Sequence, residues 1–208
     1  ENCLFNSDFV IGKQNKAFKD DDITIAEWIG EFKPTEINAI PLFEDREGML
    51  NAHEITRKYL SDKDIHQQRI FLARSDPAMN YGLIGAVLMN KLALYNFNLL
   101  SEDTGVDIYP IIGVGSAPFR GNLKPQNIEN LTTEYPSVHT FTIQSSFKYD
   151  HPTGEVIKGI EKLKSIRTSR PHEVDPEKFL EIIDKYGQEF QKQILELAPP
   201  IVSPFMKR

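Results

Sequence analysis

The sequence predicts an α/β fold built from parallel βα units, on three observations. Short apolar segments alternate with segments of helical period along the chain, the order that sets parallel strands between helices. Residues able to carry chemistry, Glu44, Asp76, Arg120 and Gln144, fall at or just after the ends of predicted strands, where α/β barrels and open α/β sheets hold ligands. No segment repeats at a fixed period, so a solenoid or propeller is not indicated.

Taken in order, Ile23 to Phe32 reads as a short helix, and Ile37 to Phe43 as a short buried strand ending at Glu44. Asp45 starts a helix, because Met49, Ala52, Thr56 and Tyr59 recur at helical spacing with Arg46, Glu47, Glu54 and Lys58 outside them, and the pattern stops near Ser61-Asp62. Arg69 to Ala73 is a second strand, running into Arg74-Ser75-Asp76. A long helix follows from about Asn80 to Leu100, apolar on most sides through Leu83, Ile84, Val87, Leu88, Leu92 and Leu94, which predicts protein on both its flanks. Val106 to Ile112 is a third strand, leading into a loop with glycines at 113, 115 and 121. Val138 to Ile143 is a fourth, ending at Gln144, and helices fill Gly154 to Ile166 and Pro176 to Leu197, with Pro199-Pro200 closing the last. Four strands in 208 residues fit either a small open sheet or part of an eight-stranded barrel, which needs about 250 residues. The last residues, Ile201 to Arg208, stop without a capped element, which favours an interrupted larger domain; residues 1–208 are read as a single α/β unit.

Composition narrows the function classes. The chain is 40% hydrophobic and 26% charged, as in ordinary soluble globular proteins. With 24 basic and 30 acidic side chains the net charge is -6, which offers no footprint for a nucleic acid. One cysteine, Cys3, can form neither an internal disulfide nor a thiolate metal cage, pointing to a reducing compartment, the cytoplasm. The apolar stretch around Leu83 to Leu100 is interrupted by Asn90, Lys91, Asn96 and Asn98, so no membrane span is expected, and Glu1 to Lys19 has no signal-peptide character.

Three constellations carry chemistry. Glu44 and Asp76, at the ends of neighbouring parallel strands, can share one coordination sphere, and two oxygen ligands with open positions suit Mg²⁺ or Mn²⁺. The same two carboxylates also read as N-caps of the helices that follow them. The histidines add no metal site: His53 and His66 read as surface residues and His139 as a core side chain, and no pair has ligand spacing. In the loop from Gly113 to Gly121, Gly115, Ser116 and Arg120 offer backbone N–H groups, a hydroxyl and a guanidinium, a set that can hold phosphate or carboxylate. A plain connection with turn glycines would look alike. The third constellation is the polar segment 144–152, with Gln144 and Lys148, which also reads as a capped loop leading into a helix.

These segments, in this order, resemble phosphoenolpyruvate carboxylase of the shorter archaeal type. The resemblance runs from about Ile37 to Pro152 through Ile-Pro-Leu-Phe-Glu-Asp (40–45) with Leu50-Asn51-Ala52, Ala-Arg-Ser-Asp-Pro-Ala-Met-Asn-Tyr-Gly (73–82), Gly-Val-Gly-Ser-Ala-Pro-Phe-Arg-Gly-Asn-Leu (113–123) and Gln-Ser-Ser-Phe-Lys-Tyr-Asp-His-Pro (144–152). It implies that Glu44 and Asp76 bind the catalytic divalent cation, that Arg120 helps hold the reacting anions, and that the sheet is about half of a (β/α)8 TIM-type barrel in a homo-oligomer, a tetramer. The bacterial and plant enzymes carry a lysine where Met79 stands and an arginine where Val114 stands, so those two roles do not transfer. Arg74 is the candidate replacement cation, with Lys148 a weaker one. The family's His-Pro histidine and its later arginine-bearing segment are absent, so the chain reads as the middle of a longer enzyme, inactive alone.

The activity implied is the irreversible carboxylation of phosphoenolpyruvate by bicarbonate to oxaloacetate and phosphate. Bicarbonate attacks the phosphoryl group, giving carboxyphosphate and the enolate of pyruvate, which then takes up carbon dioxide. Two other readings stay open at this point: another metal-dependent barrel lyase or aldolase acting on an enolate, and a non-catalytic module that keeps only the cation and anion sites.

Overall fold

The structure is a computed structural model, which describes residues 39–202, Gly30, and two short segments, β1 (Lys19–Asp20) and β2 (Ile23–Thr24), paired antiparallel. A helix from Ile23 to Phe32 is therefore corrected at its start, where Ile23 and Thr24 are extended; residues 25–29 and 31–38 lie outside the described residues, as do 203–208.

The main sheet has four strands, β3 (Leu42–Phe43), β4 (Gln67–Ala73), β5 (Asp107–Gly113) and β6 (Thr140–Phe141). They lie side by side in chain order, every pair parallel. All four carboxyl ends consequently meet at one edge of the sheet, and the strand order never reverses. β4 alternates as a half-buried strand should, with Gln68, Ile70 and Leu72 buried. The buried carboxamide of Gln68 is satisfied by donating from Nε2 to the Ala39 and Arg69 carbonyls, 2.8 Å each. The outer strands β3 and β6 are each two residues long, shorter than the periodicity predicted.

After β3 come α1 (Arg46–Leu50) and α2 (Ala52–Leu60), one predicted helix divided at Asn51. Its inner face is as expected: Met49, Ala52, Thr56 and Tyr59 are buried. Two histidines differ from expectation. His53 is half-buried in α2, its side chain 26% exposed. His139 is exposed, because β6 begins only at Thr140, and its ring centroid lies 4.8 Å from that of Tyr109.

The long helix α3 (Ser75–Thr104) starts earlier than predicted, and Gly82, with φ 82° and ψ 165°, breaks it into two helical segments. Met89, Ala93, Phe97 and Leu100 point into the core with Ile70 and Leu72. Buried Asn90 ties the helix to β4 by donating from Nδ2 to the Ala73 carbonyl at 3.1 Å and to its own helix at Ala86, 2.9 Å. By length and composition α3 could cross a membrane, but half of that stretch is buried in the fold, as befits a core helix. The expectation of protein on both flanks is met at Leu92 and Leu94 and corrected at Leu83 and Ile84, which stay exposed.

A 3₁₀ turn (Pro118–Arg120) and α4 (Ile128–Glu134) link β5 to β6; α5 (Ser145–Tyr149), α6 (Thr153–Ser165) and α7 (Pro176–Val202) follow. α7 lies across α3, with Ile183 buried, Phe190 against Gly82, and Asp184 ion-paired with Arg46 of α1. It runs through Pro199 and Pro200 instead of stopping there. The carbonyls those prolines leave without a helical donor belong to Leu195 and Glu196, both exposed, so water can satisfy them.

Candidate functional site

The strand register builds the site. Phe43 pairs with Leu72, Ala73 with Gly113 and Ile112 with Phe141. Glu44, Ser75, Asp76, Gly115, Ser116 and Gln144 therefore all lie within three residues of a strand's carboxyl end, on strands spaced about 4.8 Å apart.

The capping alternative for the two carboxylates does not hold. Asp45, not Glu44, caps α1, its carboxylate accepting from the Gly48 N–H at 2.7 Å. At α3 the capping position is Arg74, with no side-chain cap bond, and Asp76 sits in the first turn, where the helix dipole favours a negative charge. Both carboxylates are exposed, and neither makes a hydrogen bond or ion pair with another described residue. Among the described residues no three His, Cys, Asp or Glu side chains cluster for a metal. A cation at this edge would thus have two protein carboxylates and fill its remaining positions with water or substrate, which is how Mg²⁺ is ordinarily held.

The 113–121 loop is rigidly folded on itself. The Gly115 N–H donates to the Arg120 carbonyl (2.7 Å), the Leu123 N–H to Gly115 (2.9 Å) and the Arg120 N–H to Ala117 (2.9 Å). Val114 N–H donates to Thr142 Oγ1 at 2.9 Å, fastening the loop to the end of β6. The amide of Gly115 is thus spoken for; within this loop the N–H groups of Ser116, Ala117 and Phe119 have no acceptor among the described residues. What Gly115 contributes is space, since a Cβ there would collide with the Gln144 carboxamide and lie 3.2 Å from Arg120 Cβ. Arg120 Nε donates to Ser75 Oγ at 3.1 Å, next to Asp76, and Ser146 Oγ donates to Ser116 Oγ at 2.8 Å. Five of the predicted residues, Asp76, Gly115, Ser116, Arg120 and Gln144, are in this way joined through direct contacts or through Ser75.

A family model described as phosphoenolpyruvate carboxylase matches residues 3–205. The chain belongs to the phosphoenolpyruvate carboxylase family. It is 58% identical over 191 residues to the phosphoenolpyruvate carboxylase of Methanothermobacter thermautotrophicus, covering 92% of this chain and 39% of that protein. With the Methanospirillum hungatei enzyme it shares 55% over 194 residues, 93% of this chain and 40% of the other; with that of Pyrococcus abyssi, 50% over 180 residues, 86% and 38%. The chain spans about two fifths of the length of these relatives.

Within this phosphoenolpyruvate carboxylase family member the remaining expectations divide. Val114, in the place of the bacterial and plant arginine, is fully buried, and Met79, in the place of the lysine, is 64% exposed. Arg74, the candidate replacement cation, is turned into the protein. It is 2% exposed, its Nε donates to the Tyr135 hydroxyl at 3.2 Å and its Nη1 to the Phe119 carbonyl at 2.9 Å. Lys148 is exposed, its ammonium 5.0 Å over the Tyr149 ring, and it makes no hydrogen bond or ion pair with another described residue. Burial pushes the Tyr135 phenol up to about 12, against the opposing pull of the Arg74 charge, so the hydroxyl stays protonated throughout the physiological range. Ser75, Thr142 and Tyr135 were not expected. Ser75 lies inside the Arg-Ser-Asp segment and could have been found there, whereas nothing near Tyr135 in the sequence connects it with residue 74.

Proposed function

We propose that this chain carries the cation- and anion-binding part of an enzyme that carboxylates phosphoenolpyruvate with bicarbonate to give oxaloacetate and phosphate. The observation that carries it is the convergence, at one sheet edge of a chain of this family, of two exposed carboxylates with no hydrogen bond or ion pair among the described residues and a loop presenting Arg120. The unbroken parallel strand order supports reading the sheet as part of a (β/α)8 barrel with its ligands at the carboxyl ends. Mg²⁺ or Mn²⁺ fits the donor set, because Glu44 and Asp76 supply hard anionic oxygens just past the ends of adjacent strands and leave most positions open. The cytoplasm and a homo-oligomer, a tetramer, belong to the same proposal, the first supported by the single cysteine.

When bound, the cation acts as a Lewis acid that draws negative charge onto substrate oxygen. The chain's own residues do the rest. Arg120 directs its guanidinium toward phosphate or carboxylate oxygens, and the Ser75 hydroxyl, accepting from Nε, orients that fork. The free N–H groups of Ser116 and Ala117 add neutral donors to the same anion. Gln144, packed on Gly115, closes the loop beside them. All are held before substrate arrives, so little reorganisation is needed as charge moves from one reactant to the other.

The test uses the full-length protein. Phosphate release should require phosphoenolpyruvate, bicarbonate and Mg²⁺ or Mn²⁺ together, with oxaloacetate formed in equal amount. Glu44→Gln and Asp76→Asn should each raise the cation concentration needed for half-maximal rate. Oxaloacetate formation unaffected by both changes would refute the assignment of the cation to this edge, and phosphate release without bicarbonate would refute the carboxylation.

A further inference from the structure

Arg74 is a fully buried guanidinium whose two hydrogen-bond partners are neutral, a phenol and a peptide carbonyl. No ion pair of Arg74 with a described carboxylate exists. A cation left in the interior without a counter-charge is expensive, and a site of this kind survives where the arrangement is needed. The geometry shows what it arranges. The Phe119 carbonyl that accepts from Arg74 belongs to the peptide plane whose N–H is that of Arg120, and this N–H donates to Ala117 at 2.9 Å. Holding both ends of a planar group fixes the origin of the Arg120 side chain. At the other end of that side chain, Arg120 Nε rests on the hydroxyl of Ser75, the residue covalently next to Arg74. The Arg74 side chain thus holds the peptide at the root of Arg120, and the residue next to it in the chain supports the guanidinium. Tyr135 in turn locks Arg74: its N–H is bonded to Leu131 at 3.0 Å as the close of α4, and its ring is 1% exposed.

We propose that Arg74 and Tyr135 are a positioning pair for Arg120, acting through the Phe119 carbonyl and Ser75 and not on substrate themselves. A rigid guanidinium fork can reach a phenol and a carbonyl at once, which an ammonium on a flexible stem cannot. The proposal rests on the reading that Arg120 binds the reacting anions.

A double-mutant cycle in the full-length protein tests it. Tyr135→Phe keeps the buried ring and removes only the hydroxyl; Arg74→Lys keeps the charge and removes the fork. Each should lower kcat/KM by on the order of 10- to 100-fold, the scale of a small misplacement of a positioned group. In an Arg120→Lys background the same two changes should cost less than about 2-fold, because the group they position is gone. Equal losses in both backgrounds, or no loss in either, would overturn the pair. If Arg74→Lys does not fold, the Tyr135→Phe half of the cycle decides alone. An Arg120→Lys variant with unchanged kcat/KM would instead overturn the anion-binding reading beneath it, a distinguishable result.

Discussion

Replacing Gly121 by alanine tests whether the anion loop is held as tightly as its contacts imply. Gly121 has φ 108°, and a Cβ there would lie 2.7 Å from Val114 Cγ1 and 3.0 Å from Val114 Cβ. The left-handed conformation costs an L-residue about 1–2 kcal/mol. Val114 is fully buried and cannot withdraw, so overpacking adds about 1–3 kcal/mol. Together the change should destabilise by about 2–5 kcal/mol, read from urea unfolding of the full-length protein as a midpoint shift at constant slope. Two controls separate the causes. In a Val114→Ala background the Gly121→Ala penalty should fall, because the contact with Cγ1 is gone and only that with the Val114 Cβ position remains. Gly154→Ala, at a position in α6 with open space around it, should stabilise by about 0.4–1 kcal/mol. A Gly121→Ala penalty under 1 kcal/mol, or one that Val114→Ala leaves unchanged, would show that the loop yields and that the rigidity argued for Arg120 is wrong.

Further outcomes follow from the same structure. Arg120→Lys in the full-length protein should keep the fold and lower turnover by on the order of 10²-fold or more, as when one preorganised transition-state contact is removed; steady-state rates beside a melting curve decide it, and near-normal turnover would remove Arg120 from the site. Burial lowers the His53 pKa, with Glu54 opposing and Arg57 reinforcing. The unfolded chain then binds a proton more readily than the folded one below about 6.5, so stability contributed by neutral His53 is present above that pH and lost as pH falls toward the lowered value; His53→Gln should flatten stability across that window, and an unchanged pH profile would refute it. For Tyr135, raised to about 12, the unfolded phenol ionises first, so stability should fall as pH rises above about 10 and Tyr135→Phe should reduce that fall, seen by tyrosinate absorbance and unfolding at matched pH. The 208-residue chain by itself exposes Leu195 (74%), Ile201 (62%) and the edges of two-residue strands, so it should self-associate; light scattering that finds a monodisperse monomer would contradict this.

How much was legible follows from where each signal originates. The inner face of α1 and α2 could be read because helical period is local: Met49, Ala52, Thr56 and Tyr59 are buried as their spacing requires. The positions of Glu44, Asp76 and Gln144 just after strand ends were legible for the same reason, and parallel pairing needed no more than strands alternating with helices. The sequence could not decide whether Glu44 or Asp45 takes the cap, because adjacent carboxylates compete for one N–H and backbone geometry picks Asp45. It left β6 too long, since pairing partners, not propensity, end that strand at two residues. It let Pro199 and Pro200 stop α7, a local rule that exposed carbonyls relax. And it offered Arg74, beside Asp76, as a replacement cation without showing that it is buried, because 61 residues separate Arg74 from the tyrosine it bonds inside the protein. Contacts between distant residues leave no period in the chain, so the motifs told which side chains could do chemistry, and only packing decided which stay exposed at the sheet edge and which are buried behind them.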